Sequence, residues 1–378
     1  MREDKKVPCV LMRGGTSKGV FFHDRDLPAD PRERDAVILR AFGSPDIRQI
    51  DGLGGGNPWT SKVAVIGPSK RPDADIDYTF GQVSQDQPYI GKSVNCGNIS
   101  AAIGPFAIDE GLVKAVEPVT VVRIYNTNTD KMIIAHVPVN NGKTVYQGDF
   151  EIHGVPGTSA QIDLEFVDPG GAVTGKVLPT GQPQQKITVD EKEYTVSIVD
   201  SAMPLVFLKP EEFGLTGREM PWEYEQRPDY QELSVLVEKI RGQAAFLMGI
   251  VDDPAKAAKE SPEKPKIGFY SGPAPYIDAD KHPVRPGEID LVARQIAMGK
   301  MIYVLMGTGS ICIAAAANIK GTIIHEIVSP ALGDEVTKLR IGHPFGVMTV
   351  TAKPDGNGVK SGTIGRTARR IMDGWVYV

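Results

Sequence analysis

Two stretches far apart in the chain carry closely similar text. Ser93–Leu112 reads SVNCGNISAAIGPFAIDEGL, and Met306–Gly321 reads MGTGSICIAAAANIKG. Laid one under the other, Met306 falls on Cys96, Gly307 on Gly97, Thr308 on Asn98 and Ser310 on Ser100, with alanines following in both. In each copy a turn of small residues runs into a segment suited to a buried helix. An internal repeat of this kind restricts the chain to two similar halves. A helix start exposes unpaired N–H groups and the positive end of the helix dipole, which favours an anion and activates a thiol placed there. If the halves face each other, two such starts converge on one cleft suited to a ligand with more than one carboxylate. The plainer reading of Cys96 is a structural cysteine in an ordinary buried helix.

The length of 378 residues allows two domains of ordinary size. Gly (41) and Pro (29) are both frequent, which favours strands and turns over a helical bundle. A net charge of −5 argues against a general nucleic-acid binder, and it leaves attraction of an anion to local groups. Three cysteines (Cys9, Cys96 and Cys312) without a CxxC pair speak against a disulfide framework or a structural zinc site. His325-Glu326 is not an HExxH motif, because Ser329 stands where the second histidine belongs. No apolar run approaches the ~20 residues of a membrane span. The charged start MREDKKVPCV does not read as a signal peptide, so the cytoplasm is the expected compartment.

Along the chain, Val7–Met12 and Gly19–Phe22 read as strands around the turn RGGTSKG. Asp30, Pro31 and Glu33 supply an N-cap, an N1 proline and an N3 acid for a helix over Pro31–Phe42. IDGLGGGN (Ile50–Asn57) has Asn57 where the third glycine of GxGxxG belongs, so it reads as a tight loop around something small rather than a phosphate cradle. Strands are expected over Ile76–Val83, Val119–Tyr125, Met132–Val139, Tyr194–Val199, Pro204–Leu208, Ile267–Tyr270, Thr322–Val328 and Gly346–Ala352. Asn126-Thr127-Asn128 is turn chemistry. Apolar spacing predicts a helix over Gln231–Ile250, and a second is expected over Glu288–Met301. The Gly- and Pro-rich stretch Phe150–Gln185 reads as the crossing between halves. Arg366, Arg369 and Arg370 read as a solvated face or as partners of acids.

Candidates for chemistry are few. Cys96 stands at a helix start, and Lys18 and Lys62 stand beside glycine-rich turns. A thiol and an amine can serve as proton donor and acceptor across a carbon acid. An unperturbed lysine costs about 4.6 kcal/mol to deprotonate at pH 7, so a base role requires burial or a nearby cation. Loop and helix-start amides could hold the developing enolate. These residues point to cofactor-free proton transfer at a carbon next to carboxylates.

The stretches MRGGTSKGVFF (12–22), FGSPDIRQIDGLGGG (42–56), TSKVAVIG (60–67), NCGNISAAIGPFAI (95–108), GKVLPTG (175–181), IGHPFG (341–346) and RTARRIMDG (366–374) together resemble the 2-methylaconitate cis-trans isomerase family. That family also holds methylitaconate Δ-isomerases and oxalomesaconate isomerases. NTNTDK (126–131) and RQIDGL are most similar to the methylitaconate branch. The resemblance implies an α+β fold like diaminopimelate epimerase, with two similar lobes, each a barrel-like mixed sheet around a central helix. The lobes are expected over residues 1–184, carrying Lys62 and Cys96, and 185–378, carrying the Gly307–Ser310 helix start, with the last strand crossing back to the first lobe.

The family's catalytic lysine carries over to Lys62 and its cysteine to Cys96, expected on either side of one hollow between the lobes. Epimerases of this fold place a second cysteine where Met306 stands, and a thioether moves no proton. The implied activity is a 1,3-allylic proton shift that moves or isomerises a C=C bond in a small unsaturated di- or tricarboxylate, without cofactor or metal. Expected substrate-binding residues are Thr16, Ser17, Asn95, Gly97, Asn98, Gly307, Thr308, Gly309 and Ser310. Lys266, Lys300 and His343 are further carboxylate-binding candidates. Phe345 departs from the family's small residue after the proline, and Trp59 is a candidate for shaping substrate choice. The competing readings are an amino-acid racemase or epimerase of the same fold and a non-catalytic carboxylate binder. The expected partner is a small carboxylate, with no nucleic acid or membrane, and with homo-oligomers unsurprising.

Overall fold

The structure, a computed structural model, describes residues 5–92 and 95–378. Ser93 and Val94, which open the first repeated stretch, lie outside the described residues, as do residues 1–4. The chain divides into two units, the first running to Glu165 and resuming over Gly365–Val378, the second spanning Phe166–Ile364.

The first unit contains β1 (Lys6–Gly14), β2 (Ser17–His23), α1 (Pro31–Phe42), β3 (Lys62–Pro68), β4 (Ile76–Val83), β5 (Ile90–Gly91), α2 (Gly97–Ser100), α3 (Ile103–Asp109), β6 (Val119–Asn126), β7 (Lys131–Asn140), β8 (Lys143–Thr144) and most of β9 (Ile162–Val167). The second contains β10 (Gln185–Val189), β11 (Lys192–Ser201), β12 (Met203–Leu208), α4 (Pro221–Glu225), α5 (Tyr230–Leu247), α6 (Ala257–Glu260), β13 (Lys266–Ser271), β14 (Tyr276–Ile277), β15 (Pro283–Val284), β16 (Leu291–Ala297), β17 (Lys300–Met301), α7 (Gly307–Ala317), α8 (Ile323–Leu332), β18 (Lys338–His343), β19 (Gly346–Pro354) and most of β20 (Val359–Arg366). The last strand, β21 (Ala368–Tyr377), belongs to the first unit and pairs antiparallel with β1.

The repeat seen in the sequence extends to the whole pairing order. In the first unit β1 and β2 form a hairpin, β2 lies parallel to β3, β3 antiparallel to β4, β4 pairs with β5 and runs parallel to β6, and β6 is antiparallel to β7. In the second, β11, β12, β13, β16, β17, β18 and β19 repeat that succession with the same senses. Even the outer strands correspond, β21 on β1 matching β10 on β11. Within each unit a helix bridges the parallel pair, α1 between β2 and β3 and α5 between β12 and β13.

Burial follows from this layering. β2, β3, β12 and β13 are buried along almost their whole length, because each is covered on both faces. In the first unit Val20, Phe22, Val63 and Val65 pack with Ile38 and Phe42 of α1, while Phe21 meets Phe106 of α3 with ring centres 5.8 Å apart. In the second, Val206, Leu208, Ile267 and Phe269 pack with Leu233, Val237 and Ile240 of α5. α7 is buried on every side and packs on β11, β12 and β19. A helix apolar all round belongs at the centre of a sheet that wraps it.

α1 starts and stops where its text predicts. Asp30 accepts from the N–H groups of Arg32 and Glu33, and Gly43 ends the helix at φ 68°. Two expectations are corrected. Glu288–Met301 is not a helix but β16 and β17: its Leu, Ala, Arg and Gln are good helix formers, yet the segment fills the place between β13 and β18. Thr322–Val328 is not a strand but the start of α8, where the Thr322 hydroxyl caps the His325 N–H. The units divide at 165/166, where the sequence reading places the boundary after 184. Residues 166–184 are bound into the second unit by Asp168 N–H to Lys360 O, Gly171 N–H to Asp200 O and Asp200 N–H to Val177 O.

Candidate active site

Lys62 opens β3, held beside Gly19 of β2 by the parallel register. The segment before it is shaped by the glycine run. Gln49, 1% exposed, sits inside that loop, where its Oε1 accepts the Gly56 N–H and the Ser61 hydroxyl. The small object around which the loop closes is therefore a side chain of the protein itself. The Ser61 carbonyl is bound by the Val83 N–H and by Gln82 Nε2, which fixes the residue before the lysine.

Cys96 is the N-cap of α2, extended at φ −113° and ψ 100°. α2 is a single turn, broken from α3 at Ala101 and Ala102, so the dipole expected at this start is short. The β1–β2 turn lies directly against it. A side chain at Gly14 would put Cβ 2.5 Å from the Asn98 carbonyl, and Gly15 adopts φ 52°, where its missing Cβ leaves room for the Asn98 amide. The Thr16 N–H reaches Asn98 Oδ1 at 3.4 Å. The RGGT text is thus explained by close approach to the helix start.

The two candidates for proton transfer meet. Lys62 Nζ donates to Cys96 Sγ at 3.2 Å, and the ammonium lies 5.7 Å from the centre of the Phe80 ring. The sequence reading places amine and sulfur on opposite sides of a hollow; in the structure they touch. The Ser100 hydroxyl reaches the Cys96 carbonyl at 3.0 Å and Asn95 Oδ1 at 3.2 Å. Tyr78, fully buried, is in range of both Cys96 and Ser100. Burial pushes its phenol well above the ordinary range, the nearness of Cys96 adds to this, and Ser100 works against it. Ser17 is 2% exposed, and its hydroxyl has no hydrogen-bond partner among the described residues.

The first unit thus gathers Thr16, Lys62, Asn95, Cys96, Gly97 and Asn98 into one neighbourhood, and Ser17 begins β2 at its edge. Tyr78, Phe80 and the asparagines of the β6–β7 turn join them, and sequence reasoning does not mark these as site residues. The only trace of them in the sequence is the NTN text.

Apart from Lys18 and Trp59, the remaining candidates lie in the second unit. Met306 is the N-cap of α7, and Gly307–Ser310 form its first turn, as the repeat requires. The Ser310 hydroxyl is spent on the Gly307 carbonyl at 2.7 Å, and Gly309 packs on the Gln295 side chain. Lys266 opens β13 as Lys62 opens β3, and it is buried. Strand alternation puts it on the face opposite Ile267 and Phe269, which pack on α5. Lys300 is exposed on the two-residue strand β17. His343 is buried at the end of β18, where its Nδ1 accepts the Phe345 N–H at 3.3 Å and its carbonyl accepts the Tyr276 hydroxyl. Phe345 stacks at a tilt on Tyr303, and Trp59 is exposed. Cys9 and Cys312 are buried, with the Cys312 thiol on the Val199 carbonyl. Among the described residues no group of three or more His, Cys, Asp or Glu side chains is placed to hold a metal ion, and no helix is long and apolar enough to cross a membrane.

A family model described as "PrpF protein" matches residues 4–378. The chain is 46% identical over 379 residues to the 3-methylitaconate isomerase of Eubacterium barkeri, covering 100% of this chain and 98% of that protein. It is 39% identical to the 2-methyl-aconitate isomerase of Cupriavidus necator, covering 99% and 97%, and 39% identical to the (4E)-oxalomesaconate Delta-isomerase of Novosphingobium sp. (strain KA1), covering 100% and 99%. The crystal structure of a methylitaconate-delta-isomerase superposes with a TM-score of 0.89 at 46% identity, covering 100% of this chain and 96% of that one. A hydroxyproline epimerase from Agrobacterium vitis superposes with a TM-score of 0.52 at 15% identity, over 100% and 94%, a likeness of fold alone.

Proposed function

Since the chain belongs to the PrpF protein family, we propose that it is an isomerase that shifts a C=C bond in a small unsaturated di- or tricarboxylate, of the kind named for its relatives, by a 1,3-allylic proton transfer between Lys62 and Cys96. The observation that carries the mechanism is the 3.2 Å contact between Nζ and Sγ. An amine and a thiol this close present themselves to one face of a substrate, and the two ends of an allyl unit are separated by less than a hydrogen bond. One group removes a proton next to a carboxylate, leaving a dienolate. The other delivers a proton at the far end of the three-carbon unit, and the double bond moves.

After one turnover the acceptor holds the extra proton and the donor lacks one. The direct Lys62–Cys96 contact returns that proton, and both groups exchange protons with water between turnovers, so no cofactor or co-substrate enters the balance. Thr16, Ser17, Asn95 and the Gly97-Asn98 amides are the groups of this unit proposed to hold the substrate carboxylates and the enolate charge. A two-thiol racemisation lacks its second thiol, because Met306 occupies the N-cap that matches Cys96, and Cys312 is buried inside α7.

Proton NMR in D₂O with 2-methylaconitate, 2-methylitaconate, aconitate and oxalomesaconate tests this reading. Deuterium is expected at the allylic terminus of at least one acid, with incorporation abolished in Cys96→Ser and Lys62→Met. Incorporation in none of the four, or variants indistinguishable from the parent, removes the isomerase reading.

A further inference from the structure

The turn between β6 and β7 does more than reverse the chain. An Asx turn needs only the bonds from Thr129 N–H and Oγ1 to Asn126 Oδ1, at 3.1 and 2.8 Å. The same two asparagines also reach across the unit to residues far away in sequence. Asn128 acts as a strand partner made of a side chain. Its Oδ1 accepts the Phe80 N–H at 2.7 Å, and its Nδ2 donates to the carbonyls of Phe80 and Lys92, both at 2.9 Å. The Phe80 ring underlies the Lys62 ammonium, and Lys92 leads the chain towards Asn95 and Cys96. Asn126 is fully buried, and its Nδ2 reaches Asn95 Oδ1 at 3.5 Å and Asn128 Oδ1 at 3.2 Å. Asn95 in turn accepts from Ser100, whose hydroxyl also holds the Cys96 carbonyl.

One amide therefore holds what lies beneath the amine, the other holds the residue before the thiol, and the two hold each other. Only an amide fits these positions, because each needs donors and an acceptor on one planar group, and a carboxylate supplies no donor.

We propose that Asn126 and Asn128 are positioning residues that set the contact between Lys62 and Cys96. The inference rests on reading Lys62 and Cys96 as the reacting pair. Its test uses the full chain and a probe that needs no substrate. Cys9 and Cys312 are buried, so alkylation of the native protein by iodoacetamide reports on Cys96. The Lys62→Met variant sets the rate for a thiol without its amine. In Asn128→Ala and Asn126→Ala the alkylation rate is expected to fall at least halfway to that of Lys62→Met. The kcat on whichever acid the parent isomerises is expected to fall tenfold to a hundredfold, with KM within threefold, as displacement of reacting groups by about 1 Å produces. Thr129→Ala, which loosens Asn126 without emptying the core, is read in the same way where an alanine variant fails to fold.

Folded variants that alkylate at the parental rate overturn the proposal, and so does a lowered kcat with parental alkylation. If Lys62→Met itself alkylates like the parent, the pairing of amine and thiol fails and the proposal falls with it. If alkylation responds as expected while no acid is isomerised, the positioning role stands and only the substrate reading fails.

Discussion

The helix starts at Cys96 and Met306 are the same construction put to different use. Each residue is an extended N-cap after a two-residue strand, each is followed by glycine and a small polar residue, and each unit has a lysine at the first position of the matching strand, Lys62 in β3 and Lys266 in β13. The differences lie in what surrounds the caps. The first start ends in a thiol bonded to its lysine, with Ser100, Asn95, Asn126 and Asn128 arranged behind it. The second ends in a thioether, its serine is satisfied within its own turn, and behind Gly309 stands Gln295, held by the Tyr270 hydroxyl. The first helix is broken after one turn, whereas α7 runs unbroken from Gly307 to Ala317. The scaffold thus occurs twice, and an amine–thiol contact with a polar support behind it, the pair proposed to move the proton, is present in the first copy.

Making the first start resemble the second is expected to have the largest effect. Cys96→Met is expected to retain the fold and to remove the proposed proton donor or acceptor, so kcat is expected to fall by at least about 10³-fold with KM little changed. Steady-state kinetics on the acid identified by deuterium incorporation checks this, and a loss of less than tenfold would place the chemistry elsewhere.

A smaller effect is expected where β1 meets α2. The last residue of β1 is Gly14, whereas the last of β11 is Ser201, buried and tolerated in its own hairpin. Gly14→Ser forces a side chain against the Asn98 backbone, and a cost of about 1–3 kcal/mol is expected, read as a fall in the denaturation midpoint. The reciprocal Ser201→Gly meets no such backbone contact, and its cost is expected to stay near ~1 kcal/mol. Equal costs would show that close approach to a helix start is not what singles out Gly14.

The smallest effect tests whether Lys266 is a true counterpart of Lys62. Met306→Cys installs a thiol at the second N-cap, and a second equivalent of iodoacetamide is expected to react. Adding Lys266→Met to that variant is expected to slow the second labelling several-fold and leave the first unchanged. A second labelling indifferent to Lys266 would confine the correspondence to backbone topology.

Much of this arrangement is legible in the amino-acid order. The repeat of Cys96–Ser100 and Met306–Ser310 announces two halves, Asp30, Pro31 and Glu33 start a helix by local hydrogen bonding, Cys96 stands out at a helix start, and the family resemblance singles out Lys62 over Lys18. Local text fails where partners decide. Glu288–Met301 has helix-forming residues but is a strand because β13 and β18 flank it, and Thr322–Val328 has strand-forming residues but is a helix because a threonine caps it. The role of Asn126 and Asn128 is hidden for a related reason, since they act on Asn95, Phe80 and Lys92 across separations of 31, 48 and 36 residues. A turn signal shows that a chain reverses, not what its side chains grip.

The amino-acid order by itself determined the duplicated design, the segments that carry it, and the single cysteine able to serve at a helix start, because each depends on residue type and short-range spacing. Only the tertiary structure decided that the amine of residue 62 touches the sulfur of residue 96, and that the glycine loop closes on Gln49 rather than on a ligand. Contacts of that kind depend on strand register and on the packing of distant segments, which set positions to a fraction of a hydrogen-bond length and leave no local mark in the text of the chain.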